Sequence, residues 1–280
     1  MLLPNQFLIS PVRTCGTGGL GTVDEVVVIE TNNSHPVGTH LARKRLNAKW
    51  KDYPNARERF EREIRTISAM RHPAIISFEG QNLPGDERFY VMPVYPGSMR
   101  DLLNANPTGF AWRDVARFGS TLADALAYAH GYGYIHRDLK PENILLDANN
   151  TPVISDWGLG YFVHQYSKVL DLTHGGMGTE YYCSLEQWTT GKCQETGDVY
   201  SLGIVLAEMV RGVSRARIIP GLGLQEDIVP EVGSASRTFN AYLRKMTTAV
   251  AISRPQQMRD VKTQLVRFST AHENSAISFT

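Results

Sequence analysis

One stretch constrains this chain more than any other: Tyr134-Ile135-His136-Arg137-Asp138-Leu139-Lys140-Pro141-Glu142-Asn143, followed by the apolar run Ile144-Leu145-Leu146. Eighteen positions after Asp138 stands Asp156, in Ile154-Ser155-Asp156-Trp157-Gly158. Ile144 to Leu146 and Val153-Ile154 read as two short strands joined by a turn from Asp147 to Pro152. The Asp138 carboxylate, the Lys140 ammonium and the Asn143 amide then sit on the loop before the first strand, and Asp156 at the end of the second. Such a hairpin lets four polar groups converge on one cleft. Magnesium prefers hard oxygen ligands, which Asn143 and Asp156 supply beside substrate phosphates. Singly the pieces are bland, because Asp and Asn are ordinary turn residues. The information lies in the eight-residue string at that distance from Asp156.

His136 to Asn143, followed by Asp156-Trp157-Gly158, resembles the catalytic loop and metal-binding segment of the eukaryotic-type (Hanks-type) protein kinases. The resemblance implies an α+β, bilobal fold: a small antiparallel β-sheet N-lobe with one main helix, and a larger, mostly helical C-lobe. It places one kinase domain at 7–270, with the N-lobe at about 7–92, a hinge at 93–98, the C-lobe at 99–270 and a disordered tail at 271–280.

Composition fits an ordinary globular domain. The 280 residues are 42% apolar and 20% charged, enough for a sizeable core. A net charge of +1 gives no electrostatic reason to expect nucleic acid or a membrane surface as partner. Cys15, Cys183 and Cys193 form no CxxC pair and no zinc spacing, so they read as free thiols in a reducing compartment. Met1 to Ser10 lacks the pattern of a cleaved leader. The apolar stretch Val199 to Val210 carries Glu208 and is too short for a bilayer. A cytoplasmic protein is the expectation.

In chain order, Phe7 to Arg13 and Val23 to Glu30 read as strands around Gly16-Thr17-Gly18-Gly19-Leu20-Gly21. A lone GxGxxG is weak and is equally a plain Gly-rich hairpin. Its use as a phosphate cover rests on backbone N–H groups that approach oxygens with no Cβ in the way. The run through Val23 matches the kinase glycine loop, with Val23 over the adenine. His40 to Leu46 reads as a third strand, and Ala42 and Lys44 fall where the family has its Ala-x-Lys. Lys44 by itself, between Arg43 and Arg45, looks like a solvated face. The resemblance assigns it the α- and β-phosphates. Ala56 to Met70 has helical periodicity, ended by His72-Pro73. Glu63, nineteen residues after Lys44, is the expected ion-pair partner, with Glu61 as competitor. Phe89 to Met92 leads into the hinge. The resemblance implies that Met92 guards the pocket behind adenine, with Pro93 offering its carbonyl and Tyr95 its N–H, so the missing N–H of Pro93 does no harm. Leu145 completes the nucleotide set.

Met99 to Leu103 and Trp112 to Tyr132 read as helices, and Leu159 to Met177 as a mobile polar loop. Gly178-Thr179 through Ser184-Leu185-Glu186-Gln187 resembles the closing segment of bacterial members, with Leu185 where proline is usual. By resemblance Glu186 pairs with Arg254, buried and structural, and Asp198 holds the catalytic-loop backbone. Trp157 stands in place of phenylalanine in an apolar column with Ile67 and His136. Val213 to Arg237 looks shortened and loop-rich, before helices at Ala241 to Met246 and Gln256 to Phe268.

The implied reaction is transfer of the γ-phosphoryl of ATP to Ser or Thr of protein substrates, with Mg²⁺ (or Mn²⁺) as cofactor. Asp138 orients the hydroxyl and takes its proton, Lys140 neutralises the γ-phosphate, and Asn143 and Asp156 hold the metal. Lys140 and Thr179 match Ser/Thr rather than Tyr kinases. Arg137 marks control by loop phosphorylation, with Thr173 the favoured autophosphorylation site; the bland reading is an ordinary polar loop residue. A second copy acting in trans and a partner phosphatase are compatible with this reading. Its rivals are a kinase-shaped binding module, opposed by the presence of Lys44, Asp138, Asn143 and Asp156, and a small-molecule phosphotransferase, opposed by the closing segment.

Overall fold

The computed structural model describes residues 8–18, 20–30, 35–82, 88–157, 179–191, 193–212, 218–219, 223–224, 226–229 and 233–272, with the backbone alone at 82, 179–180 and 218–219. Two units, 1–95 and 96–280, each carry their own contacts.

The first unit is built on an alternation. In β2 (Gly21–Glu30), Asp24, Val26 and Val28 are buried, whereas Val23, Glu25 and Val27 are half-buried on the other face. β2 pairs antiparallel with β1 (Leu8–Thr17) and with β3 (His40–Leu46), and β4 (Gly80–Asn82) and β5 (Phe89–Pro93) complete a sheet ordered β1-β2-β3-β5-β4. Val26, Val28, Leu41 and Val91 form a buried cluster, with Ile9 and Phe89 packed against it. Pro11 sits on the edge strand β1, where a missing N–H costs least. Helix α1 (Pro54–Ala69) starts on proline, whose fixed φ suits a first helical position, and buries Phe60, Glu63, Ile64 and Ile67 on one stripe.

The predicted bounds are corrected here, β5 included, which runs on to Pro93. β1 runs on to Thr17, because Gly16 and Thr17 pair with Val23 and Thr22. β2 therefore begins at Gly21, and the glycine loop is a tight turn between paired strands. Helix α1 begins at Pro54 and ends at Ala69, since Met70 is already extended (φ −103°, ψ 145°) ahead of His72-Pro73. The three-residue β4 has no pattern long enough to announce it.

The second unit is mostly helical. Its helices are α2 (Met99–Ala105), α3 (Trp112–Gly131), α4 (Leu185–Thr190), α5 (Glu195–Arg211), α6 (Ser234–Met246) and α7 (Met258–Ser269). Ser98 and Asp101 form a reciprocal capping box on α2, which carries it past the expected end at Leu103. Helix α5 is buried from Thr196 to Val210, and α3 packs against it and against α7. The loop before α3 locks onto the end of α5: Phe110 N donates to Met209 O at 2.9 Å. Gly212, at φ +76°, comes so close that a Cβ would lie 2.0 Å from Pro107 O. A small sheet, β6 (Gly97–Ser98), β7 (Ile144–Leu146) and β8 (Pro152–Ile154), presents the predicted hairpin, and β9 (Ile218–Ile219) pairs with β10 (Gly223–Leu224). Other predicted boundaries change too: β8 starts at Pro152, α3 stops at Gly131, α6 starts at Ser234 rather than Ala241, and α7 runs from Met258 to Ser269. The start of α6 was masked by Ser-Ala-Ser-Arg-Thr, a poor helix-forming run held here because Ala235, Ser236 and Phe239 are buried. Helix α4 had no sequence expectation. Among the described residues, no helix is long and apolar enough to cross a membrane, and the three cysteines are free thiols.

Candidate active site

In the first unit, alternation along β3 turns Lys44 inward, opposite Val23 on one side and Tyr90 on the other. Its ammonium is 2.9 Å from Glu63 Oε1, the two side chains being 6% and 0% exposed. Tyr90 OH donates to the same oxygen at 3.0 Å. Glu61, one side of the helix away, pairs instead with Arg88. Breaking a pair this deeply buried strands a charge, so it is rigid. Ala42 lies opposite Met92, and Pro93 ends β5 opposite Leu41.

In the second unit, Asp198 on the first turn of α5 is completely buried and organises the catalytic loop. Its Oδ2 accepts His136 N at 2.8 Å and its Oδ1 accepts Arg137 N at 2.9 Å. Arg137 stands at φ +71°, a conformation that costs a non-glycine residue about 1–2 kcal/mol. The carboxylate offsets that strain, and Gln187 Nε2 donates to Arg137 O at 2.6 Å as a second tether. Asp156 is held at φ +61°.

Asp138 follows. Lys140 Nζ lies 2.9 Å from its Oδ2, while Asn143 Nδ2 donates to Asp138 O at 2.8 Å and to Oδ2 at 3.1 Å. With its amide nitrogen so engaged, Asn143 has Oδ1 left as a ligand oxygen. Burial disfavours the Lys140 charge, yet Asp138 beside it, with Asp156 and Glu142, holds its pKa above the ordinary lysine value. Lys140 is a cation at neutral pH. The hairpin register sets Ile144 against Ile154, and Ser155 N donates to Asn143 O at 2.9 Å. Asn143 and Asp156 therefore leave adjacent strands side by side. His136 Nδ1 accepts from Asp138 N at 3.3 Å, so Nε2 carries the proton it gives to Ser155 O at 2.8 Å. The fully buried Trp157 meets that imidazole edge to face at 4.8 Å.

Arg254 grips Glu186 with two bonds, of 2.6 and 3.0 Å, and stacks over Tyr200. Only the arginine is fully buried; the Glu186 side chain is 29% exposed, which corrects the expectation of a buried pair. Leu145 is half-buried in β7. Gly19, Thr173 and Gly178 lie outside the described residues, and Thr179 is described only as backbone in the turn Thr179–Tyr182.

Two clusters escaped the sequence reading. Arg100 on α2 donates to Glu142 at 2.8 Å, to Glu208 at 2.7 Å and to Tyr182 OH at 2.7 Å, joining the catalytic loop to α5. His130, at the end of α3, reaches Asp198 Oδ2 with Nε2 at 2.8 Å and faces Glu195 at 3.4 Å. Burial opposes its charge, but the bond to Asp198, together with Glu195, raises its pKa above the usual 6.5. A raised histidine pKa gives stability that is fully present below the unfolded value and lost as pH rises through the folded one. The advantage of the wild type over His130→Gln in urea midpoint is therefore expected to be largest below pH 6.5 and to shrink at higher pH. A constant difference would show that His130 does not change charge there.

Residues 9–267 match the family model described as the protein kinase domain. The leucine-rich repeat receptor protein kinase MSL1 of Oryza sativa subsp. japonica is 31% identical over 211 residues, covering 72% of this chain and 14% of that protein. The serine/threonine-protein kinase PknB of Mycolicibacterium smegmatis is 31% identical over 199 residues, covering 69% of this chain and 31% of that protein. The chain thus spans less than a third of the length of these relatives. The kinase domain of Mycobacterium tuberculosis PknI superposes with a TM-score of 0.68 at 19% identity, over 96% of this chain and 100% of that one, which shows the shared fold.

Proposed function

The chain belongs to the protein kinase family, and from that premise we propose that it transfers the γ-phosphoryl group of ATP to serine or threonine hydroxyls of proteins. The observation that carries this reading is the cluster in which one Asp138 oxygen is held by both Lys140 and Asn143. Asp138 accepts the proton of the attacking hydroxyl as its oxygen bonds to phosphorus and the bond to the ADP oxygen breaks. Lys140, kept cationic by its neighbours, neutralises charge on the transferred group. Lys44, fixed by Glu63, holds the other phosphates. Asn143 Oδ1 and the Asp156 carboxylate fit Mg²⁺, which takes one or two protein oxygens beside phosphates and water. When bound it neutralises phosphate charge.

The serine/threonine preference rests on Lys140 and Thr179 and on the similarity to relatives such as the serine/threonine-protein kinase PknB. The lobe and hinge limits of 7–92, 93–98 and 99–270, autophosphorylation at Thr173 to give a phosphate that would pair with Arg137, action on a second copy in trans and reversal by a phosphatase belong to the same reading. So does a cytoplasmic location, which the three free thiols support.

Mass spectrometry of the purified protein before and after incubation with Mg²⁺-ATP, alongside Asp138→Ala, tests the proposal. Phosphate gained on Ser or Thr by the wild type alone is the expected result. If phosphatase-treated wild type modifies neither itself nor a generic protein substrate, the chain is a kinase-shaped binding module.

A further inference from the structure

Asn47, one residue past β3, binds both flanks of the glycine turn. Its backbone N–H donates to Leu20 O at 2.9 Å, its Nδ2 donates to Gly18 O at 2.9 Å, and its Oδ1 accepts the Thr22 hydroxyl at 2.6 Å. Within the turn, Gly18 N donates to Gly21 O at 2.8 Å. Gly21 lies so close to β3 that a Cβ there would stand 2.9 Å from Arg45 O and 3.5 Å from Lys44 Cε. The turn is thus tied at three points to the strand that carries Lys44, three residues before Asn47.

The ordinary job of an asparagine in this place is excluded. Asn47 precedes the 3₁₀ turn Ala48–Trp50 as its N-cap, where an Asn side chain usually accepts a backbone N–H of the turn. Here the cap has no side-chain bond, and the turn is closed by the Asn47 carbonyl, which accepts Trp50 N at 2.8 Å. The amide is committed to the glycine turn instead.

That commitment has a consequence for anions. Glycine loses more conformational freedom on ordering than any other residue, so an untethered Gly turn pays for order when a ligand arrives. The Gly18 and Leu20 carbonyl oxygens, which would repel phosphate oxygens, each accept a bond from Asn47.

We propose that Asn47 is a positioning residue of the nucleotide-phosphate site, drawing the Gly18 and Leu20 carbonyls to itself and so holding the flanks of the glycine turn at a fixed place relative to Lys44. The proposal rests on the kinase reading, and its test separates the two. Titration calorimetry would compare Mg²⁺-ADP with adenosine, which lacks phosphates, on the wild type and on Asn47→Ala. Asn47→Ala is expected to weaken Mg²⁺-ADP by about 3- to 10-fold, the worth of one ordinary hydrogen bond, with adenosine unchanged. Equal weakening of both ligands would show a general loosening of the sheet and overturn the proposal, as would no weakening of Mg²⁺-ADP. A wild type that binds neither ligand sinks the kinase reading, and the latch with it. Should Asn47→Ala fail to fold, Thr22→Val removes only the hydroxyl held by Asn47 and is expected to shift Mg²⁺-ADP alone in the same direction.

Discussion

Asp138→Asn is expected to lower kcat for protein phosphorylation by about 10²- to 10⁴-fold, the usual worth of a positioned general base. The substitution keeps the size and shape of the side chain. Its carbonyl oxygen can still accept from Lys140 Nζ, which the carboxylate meets at 2.9 Å. The bond from Asn143 Nδ2 to Asp138 O is to backbone and survives. What disappears is the carboxylate proposed as the proton acceptor. The KM for ATP should stay within about 3-fold, because a transition-state interaction is lost rather than a ground-state one. Thermal stability should also hold, since the group lies at the end of a loop fixed elsewhere by Asp198. Steady-state kinetics on a peptide substrate, with melting measured in parallel, checks this. A kcat within tenfold of wild type would remove Asp138 from the role of base.

The site was legible where its signals are local. Ile144 to Leu146 and Pro152 to Ile154 are short, apolar and separated by turn residues, so the hairpin that sets Asn143 beside Asp156 follows from a dozen neighbouring residues. Lys44 and Glu63 are singled out by the family resemblance, Lys44 in its Ala-x-Lys and Glu63 nineteen residues later, whereas the sequence around Lys44 alone reads as a solvated face. Periodicity says which face is buried, not which polar group is met there. His130 lies 68 positions from Asp198, and Arg100 lies 108 from Glu208. Arg100 follows Met99 at the start of a short helix and reads as a solvated cation. Asn47 looks like an ordinary cap. In each case the partner is chosen by the packing of elements distant in sequence. The glycine segment reads as a Gly-rich hairpin, and pairing of Gly16 and Thr17 across to β2 gives it that form, with the strands running further into it than the expected end at Arg13.

Asp198→Ala is expected to destabilise the protein by about 3–5 kcal/mol, the cost of breaking one side of a buried charged pair. For a chain of this size that corresponds to a fall in Tm of roughly 6–20 °C. The size follows from what is left behind. His136 N and Arg137 N lose their acceptor in a dry interior, and the imidazolium of His130 loses its counter-charge. The pKa of Asp198 shows the balance: complete burial pushes it up, but the bond from His130, with the Arg137 N–H, brings it below the ordinary aspartate value. Its stabilisation is therefore present above the unfolded aspartate pKa and lost as pH falls through the lower folded one. Part of the alanine penalty belongs to the stranded histidine cation. That part should vanish in a His130→Gln background, where no cation remains, so the two substitutions should combine to less than their sum. Urea denaturation of the four proteins at pH 6 measures the difference. Strict additivity, or a loss below about 1 kcal/mol for Asp198→Ala, would mean that the loop around Arg137 is held by Gln187 and its own packing, with Asp198 a bystander.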